Sequence, residues 1–194
     1  AKSPRYVAPE MVAEIAQNVR ELAAHDERAV QLVGVFVNEP AERVQAVLAQ
    51  AGLDLAQLHG DEPPQMLAAL GGRAYKALRP ADNVAAQEEA ARYATRTGED
   101  GTVTKLGWML DAYDPNEYGG TGKKADWTIA ATLAADYAGL LLAGGLTPQN
   151  VAQAIATVRP WGVDVASGVE RAPGQKDHQL VAEFVRAAKS ASQP

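Results

Sequence analysis

Two kinds of segment alternate along the chain. Short apolar runs rich in β-branched residues, at 30–37, 54–59, 74–79, 106–111, 139–143 and 162–165, predict buried strands. Runs apolar on both faces are the mark of a parallel sheet covered by helices. Between them, apolar residues recur at helical spacing, and helices are predicted over 9–24, 40–51, 63–70, 83–95, 126–135, 147–158 and 177–190. The first of these carries Val12, Ile15, Ala16, Val19, Leu22 and Ala23 on one stripe. Asn38 ahead of Pro40, Asp126-Trp127 and Thr147-Pro148 read as helix entries. The polar stretch 95–105 reads as a solvated loop in front of a strand.

Strand-to-strand spacing of roughly 20 to 32 residues is the period of a repeated βα unit. No interior linker divides the chain, so one domain over residues 1–194 is expected. Strands alternating with helices mean α/β with a parallel sheet, either doubly wound or closed as a barrel. No GxGxxG or P-loop follows the first strand, which argues against a doubly wound nucleotide fold. A TIM (β/α)8 barrel carries its functional residues at the C-terminal ends of several strands. That arrangement fits the positions of the candidates below, except that six strands are visible where a closed barrel has eight.

Composition narrows the function. Lys and Arg number 18 against 24 Asp and Glu, a net charge of −6, which argues against nucleic-acid and anionic-membrane binding. The longest apolar stretch, 137–143, is too short to span a bilayer, and no signal segment opens the chain, so a soluble cytoplasmic protein is expected. There is no cysteine, which removes disulfides, thiolate metal sites and a Cys nucleophile or base from these residues. No HExxH or EF-hand spacing appears, so neither a metal nor another cofactor is implied.

The chemistry-bearing candidates stand at strand ends. Gly144 and Gly145 follow the fifth strand, and Ser167 and Gly168 follow the sixth. Glycine turns at the ends of consecutive late strands suit a phosphate, although a single such pair is as often a plain turn. Asp111 closes the apolar run LGWMLD, a place for a general acid or base, with a helix cap as the plain alternative. His59 closes AQLH, where a structural histidine and a ligand contact are both open. Arg5, before the first helix, is either a surface charge or a carboxylate clamp. Asp164 either points inward or caps the next turn. His25 and His178 read as surface residues, and Trp108, Trp127 and Trp161 as core.

Several segments together resemble one family, phosphoribosylanthranilate isomerase of tryptophan biosynthesis. They are KSPRYVAPE (2–10), VGVFVNEP (33–40), AQLHGDE (56–62), LDAYDPNEYGGTGKKADW (110–127), LAGGLTPQNV (142–151) and GVDVASGVERAPGQKD (162–177). The resemblance covers nearly the whole chain and implies a barrel that performs an Amadori rearrangement. A phosphoribosyl aminoaldose would become a 1-deoxyribulose aminoketose through acid-assisted ring opening and removal of the C2 proton. The implied roles are Asp111 as acid, Arg5 on the anthranilate carboxylate, and Gly144, Gly145, Ser167 and Gly168 on the phosphate. His59 and Asp164 join them as substrate contacts.

Two departures shape the expectation. The family's general base is a cysteine on the first barrel strand, and this chain has none; KSPRY should follow the second strand. The first βα unit and the second strand are therefore expected to be absent, with little or no isomerase activity from this chain alone. Ala166 also stands where the family usually has a serine. Alternatives are a non-catalytic, degenerate phosphate-binding barrel, or another phosphosugar barrel such as the histidine-pathway isomerase or indole-glycerol-phosphate synthase. The expected partner is a small-molecule phosphoribosyl substrate. The chain is expected to be a monomer or homodimer, with room for fusion to or complex with a neighbouring tryptophan-pathway enzyme.

Overall fold

The computed structural model describes residues 3, 5–23, 30–94, 106–111 and 127–191. The chain divides into two compact units, 1–77 and 78–194, the boundary falling inside the third strand. The first unit holds α1 (Pro9–Ala23), β1 (Val33–Phe36), α2 (Ala41–Gln50), β2 (Leu55–Leu58), α3 (Pro64–Ala69) and most of β3 (Ala74–Leu78). Its strands run parallel in the order β1-β2-β3, with Val35 beside Gln57 and Gln57 beside Tyr75. Period-two alternation sends Ala56 and Leu58 into a core with Val44, Leu48, Leu53 and Leu70, and turns Gln57 to the opposite face.

The α1 helix forms as predicted, but its apolar stripe is only partly covered. Ala16 is buried, whereas Ile15 is 48% and Leu22 78% exposed. Arg20 ties this helix down by donating to the Gly52 carbonyl at 2.8 Å and to Asp54 at 3.0 Å. Asp54 in turn accepts the Leu32 backbone N–H at 2.7 Å, a bond that, aided by Arg20 and Arg73, holds its carboxyl below the ordinary value against the opposing effect of burial. On β1, Val33 and Val35 share one face, and Val35 is 61% exposed.

The second unit continues with α4 (Asn83–Tyr93), β4 (Trp108–Asp111), α5 (Trp127–Asp136), β5 (Leu140–Ala143), α6 (Val151–Val158) and β6 (Gly162–Val163). A 3-10 turn (Ser167–Val169), a hairpin of β7 (Glu170–Ala172) and β8 (Gln175–Lys176), and α7 (His178–Ala191) complete it. β4, β5 and β6 are parallel in that order. Trp108, Leu110, Leu133, Leu140, Leu142, Val151 and Phe184 form its core, and Trp108 meets the Tyr137 ring edge-on at 6.4 Å.

Some expectations fail for local reasons. Asn38 has a positive φ of 55° and does not cap α2, whose N-cap position is Pro40. Helix α6 begins at Val151 rather than 147, because the Asn150 side chain accepts the Thr147 N–H at 2.8 Å and holds those residues as a turn. Trp161 is 46% exposed rather than core. The hairpin turning at Gly174 (φ 78°) has no counterpart in the periodicity. Residues 95–105, His25 and Asp126 lie outside the described residues.

One polar element is buried in the first unit. Lys76, 4% exposed, donates to the carbonyls of Leu58, Gly60 and Ala77 at 3.2, 2.7 and 3.0 Å. Its ammonium also lies 3.3 Å from the Glu62 carboxylate, which accepts the backbone N–H groups of Asn38 and Gly60. Burial alone would raise the Glu62 carboxyl, but these donors and Lys76 outweigh it and hold it below its ordinary 4.5. Lys76→Met leaves a buried carboxylate and several carbonyls short of a donor, with an expected loss of about 3–5 kcal/mol in urea unfolding at neutral pH. Because the folded state lowers the Glu62 carboxyl, its contribution to wild-type stability is complete above 4.5 and disappears as pH falls through the folded value. The loss caused by Lys76→Met therefore shrinks in acid.

Candidate active site

The candidates in the second unit converge by strand register. Asp111 pairs with Ala143 across β4 and β5, and Leu142 pairs with Val163 across β5 and β6. The Asp164 N–H donates to the Leu142 carbonyl at 2.8 Å, which extends the ladder by one residue. Asp111 and Asp164 thus stand at one level, at the C-terminal ends of β4 and β6, separated by a single strand. Both are half-buried. Burial lifts the Asp111 carboxyl above its ordinary 3.8; Arg79 opposes the rise, and the charge of Asp164 adds to it. Burial likewise raises Asp164, with Lys176 in opposition.

The two glycine turns are in contact. Gly144 and Gly145 take φ values of 91° and 63°, a region open to glycine but costly for other residues. Asn150 pins this turn, accepting from Thr147 and donating to the Gly145 carbonyl at 3.0 Å. Gly168 lies directly against the Leu146 carbonyl, where a β-carbon would collide with the oxygen. Below the second turn, Lys176 donates to the Ala166 carbonyl at 2.7 Å and to Glu170 at 3.0 Å, anchoring the 166–168 segment. The two packed turns lie next to the start of α6, at the C-terminal ends of β5 and β6.

His59 and Arg5 belong to the first unit. His59 follows β2, and its N–H donates to the Phe36 carbonyl at 2.8 Å. Its ring Nδ1 lies 2.8 Å from the Gln57 amide nitrogen, and the Tyr75 hydroxyl donates to the Gln57 amide oxygen at 3.0 Å. Gly60 is packed against Asn38, which joins the loops after β1 and β2. Arg5 is exposed in a turn closed by the Tyr6 N–H on the Ser3 carbonyl at 2.9 Å, just ahead of α1. The GGTG segment at 119–122 lies outside the described residues.

Arg79 and Lys176 join the site only through the structure. Arg79 directly follows β3, the same strand-end position that singled out Asp111. Lys176 stands in PGQKD, outside any apolar run that would mark a strand end.

The profile of the family described as N-(5'phosphoribosyl)anthranilate (PRA) isomerase matches residues 1–187. The chain is 43% identical over 188 residues to an N-(5'-phosphoribosyl)anthranilate isomerase of Geobacter sulfurreducens, covering 97% of this chain and 83% of that one. It is 46% identical to the enzyme of that name from a Roseiflexus species, over all of this chain and 86% of the relative. The solved structure of phosphoribosyl anthranilate isomerase from Thermotoga maritima superimposes with a TM-score of 0.80 at 34% identity, covering 97% of this chain and 84% of that one.

A raised carboxyl carries a stability signature opposite to that of Glu62. At neutral pH the folded state holds Asp111 and Asp164 at a disadvantage relative to the unfolded chain. Asp111→Asn and Asp164→Asn are expected to stabilise the protein by about 0.5–2 kcal/mol at pH 7. The gain should vanish below their ordinary 3.8, where both states bind the proton. Urea midpoints measured at both pH values check this.

Proposed function

Because the chain belongs to the N-(5'-phosphoribosyl)anthranilate isomerase family, we propose that its βα repeat forms the family's barrel and that Asp111 is the acid of an Amadori rearrangement. The observation that carries the reading is the raised Asp111 carboxyl at a strand end, in the same unit as two packed glycine turns. Burial favours the proton-bearing form of this carboxyl, which can give its proton to the furanose ring oxygen, and the ring then opens to an iminium. Loss of the C2 proton to solvent water gives an enolamine, which takes a proton at C1 and releases the one on its C2 hydroxyl to become the aminoketose.

The other residues hold the substrate. Gly144, Gly145, Ser167 and Gly168 take the phosphate, chiefly through backbone N–H groups, so alanine at 166 costs one hydroxyl contact at most. Asp164, level with Asp111, accepts from sugar hydroxyls. Arg5 takes the anthranilate carboxylate through its planar fork of donors, and His59 is a further substrate contact. Fixing both ends of the substrate presents the reacting carbons to the acid.

The 194 residues contain no cysteine, so no thiolate of this chain removes the C2 proton. For these 194 residues by themselves the expected outcome is slow turnover with binding intact. The fluorescence assay of phosphoribosylanthranilate consumption is expected to give a rate far below the ~10 s⁻¹ typical of enzymes. The reduced product, 1-(o-carboxyphenylamino)-1-deoxyribulose 5-phosphate, is expected to bind in calorimetry. Arg5→Ala should weaken that binding by about ten- to a hundredfold, the range for a charge-assisted hydrogen bond. Asp111→Asn should lower the remaining turnover by about 10²–10⁴ and leave reduced-product binding nearly unchanged. Full turnover in the Asp111→Asn variant would overturn the assignment of the acid.

A further inference from the structure

Gln57 and Tyr75 are buried polar side chains with no part in the chemistry described so far; they are 7% and 5% exposed. They sit directly opposite each other in the β2–β3 ladder, on one face of the sheet. His59 is two residues beyond Gln57, so its side chain leaves the same side of the strand. The three form a line: Tyr75 hydroxyl to Gln57 amide oxygen at 3.0 Å, then Gln57 amide nitrogen to His59 Nδ1 at 2.8 Å.

Each link in that line constrains the next. The Gln57 amide is turned with its oxygen toward Tyr75, whose hydroxyl donates to it. The other end of Gln57 is an NH2 group, which has hydrogens to give and no lone pair to offer. Facing Nδ1, it requires a lone pair there, and in a neutral imidazole the proton then sits on Nε2. We propose that the Tyr75–Gln57–His59 chain fixes His59 as the Nε2–H tautomer, making it a hydrogen-bond donor to the substrate and not a proton acceptor. Gln57 and Tyr75 are then positioning residues that act through His59. The donor role rests on the reading of His59 as a substrate contact; the tautomer itself does not.

The test reads the ring directly in the full chain labelled with 15N-histidine, without substrate. The chain has three histidines, and His59→Asn identifies the resonance of interest. At about pH 8.5, well above the ordinary histidine value of roughly 6.5, two-bond proton–nitrogen spectra separate the two tautomers. The expected wild-type pattern is an unprotonated Nδ1 and a protonated Nε2, unmixed with the other form. Gln57→Glu puts an acceptor opposite Nδ1 and should reverse the pattern. Tyr75→Phe frees the amide to turn and should give averaged shifts. A protonated Nδ1 in the wild type, or a Tyr75→Phe spectrum identical to wild type, overturns the proposal even where Gln57→Glu does not fold. Calorimetry with the reduced product completes the test, and Gln57→Glu should weaken its binding about three- to tenfold. Reversal of the tautomer with unchanged binding overturns the donor role and the substrate reading of His59, and leaves the tautomer standing.

Discussion

The parallel backbone ladder is the constraint on which everything else in this molecule depends. Neighbouring parallel strands cannot be joined by a tight turn, so the chain must cross back over the sheet through a helix each time. Every strand in a unit therefore ends at the same side, and the residues just past those ends are gathered there without any contact in sequence. His59 and Arg79 follow β2 and β3, Asp111 closes β4, and Gly144 and Asp164 follow β5 and β6. Their positions are a property of the ladder's direction before they are a property of any side chain.

Burial acts on the carboxylates of this protein with opposite results, and the difference lies in the supply of donors. Glu62 is buried, yet its carboxyl is lowered, because backbone N–H groups and the Lys76 ammonium surround it. Asp111 meets the opposing charge of Arg79 and the like charge of Asp164, and burial prevails. The carboxyl held low braces the loop beside His59, and the one that burial raises stands beside the glycine turns. A carboxyl whose surrounding donors outweigh burial is suited to structure, and one that burial raises is suited to proton transfer.

Strands and helices were legible because their apolar periods are strong, and Asp111, Asp164 and the glycine turns because they punctuate apolar runs. What escaped notice depends on contacts between distant positions. Lys76 in AYKAL looks like the outward residue of an alternating strand, and only Glu62, fourteen residues earlier, together with three carbonyls explains its burial. Gln57 and Tyr75 become partners only through the β2–β3 register. The entry to α6 was misplaced because Asn150 competes with Thr147-Pro148 for the local backbone, a choice made by one side-chain hydrogen bond. Trp161 shows the reverse error, since a large aromatic beside a core strand need not face the core.

The contact between Gly168 and the Leu146 carbonyl also bears on how this protein can change over generations. Every one-base missense change of a glycine codon installs a β-carbon, and here that atom would land on a backbone oxygen that no rotamer can move aside. No single mutational step leads away from this residue while the neighbouring turn keeps its course. A lineage that loses this glycine must first, or at the same time, redraw the chain around Leu146 and Thr147. The spacing of the two turns is thus inherited as a unit.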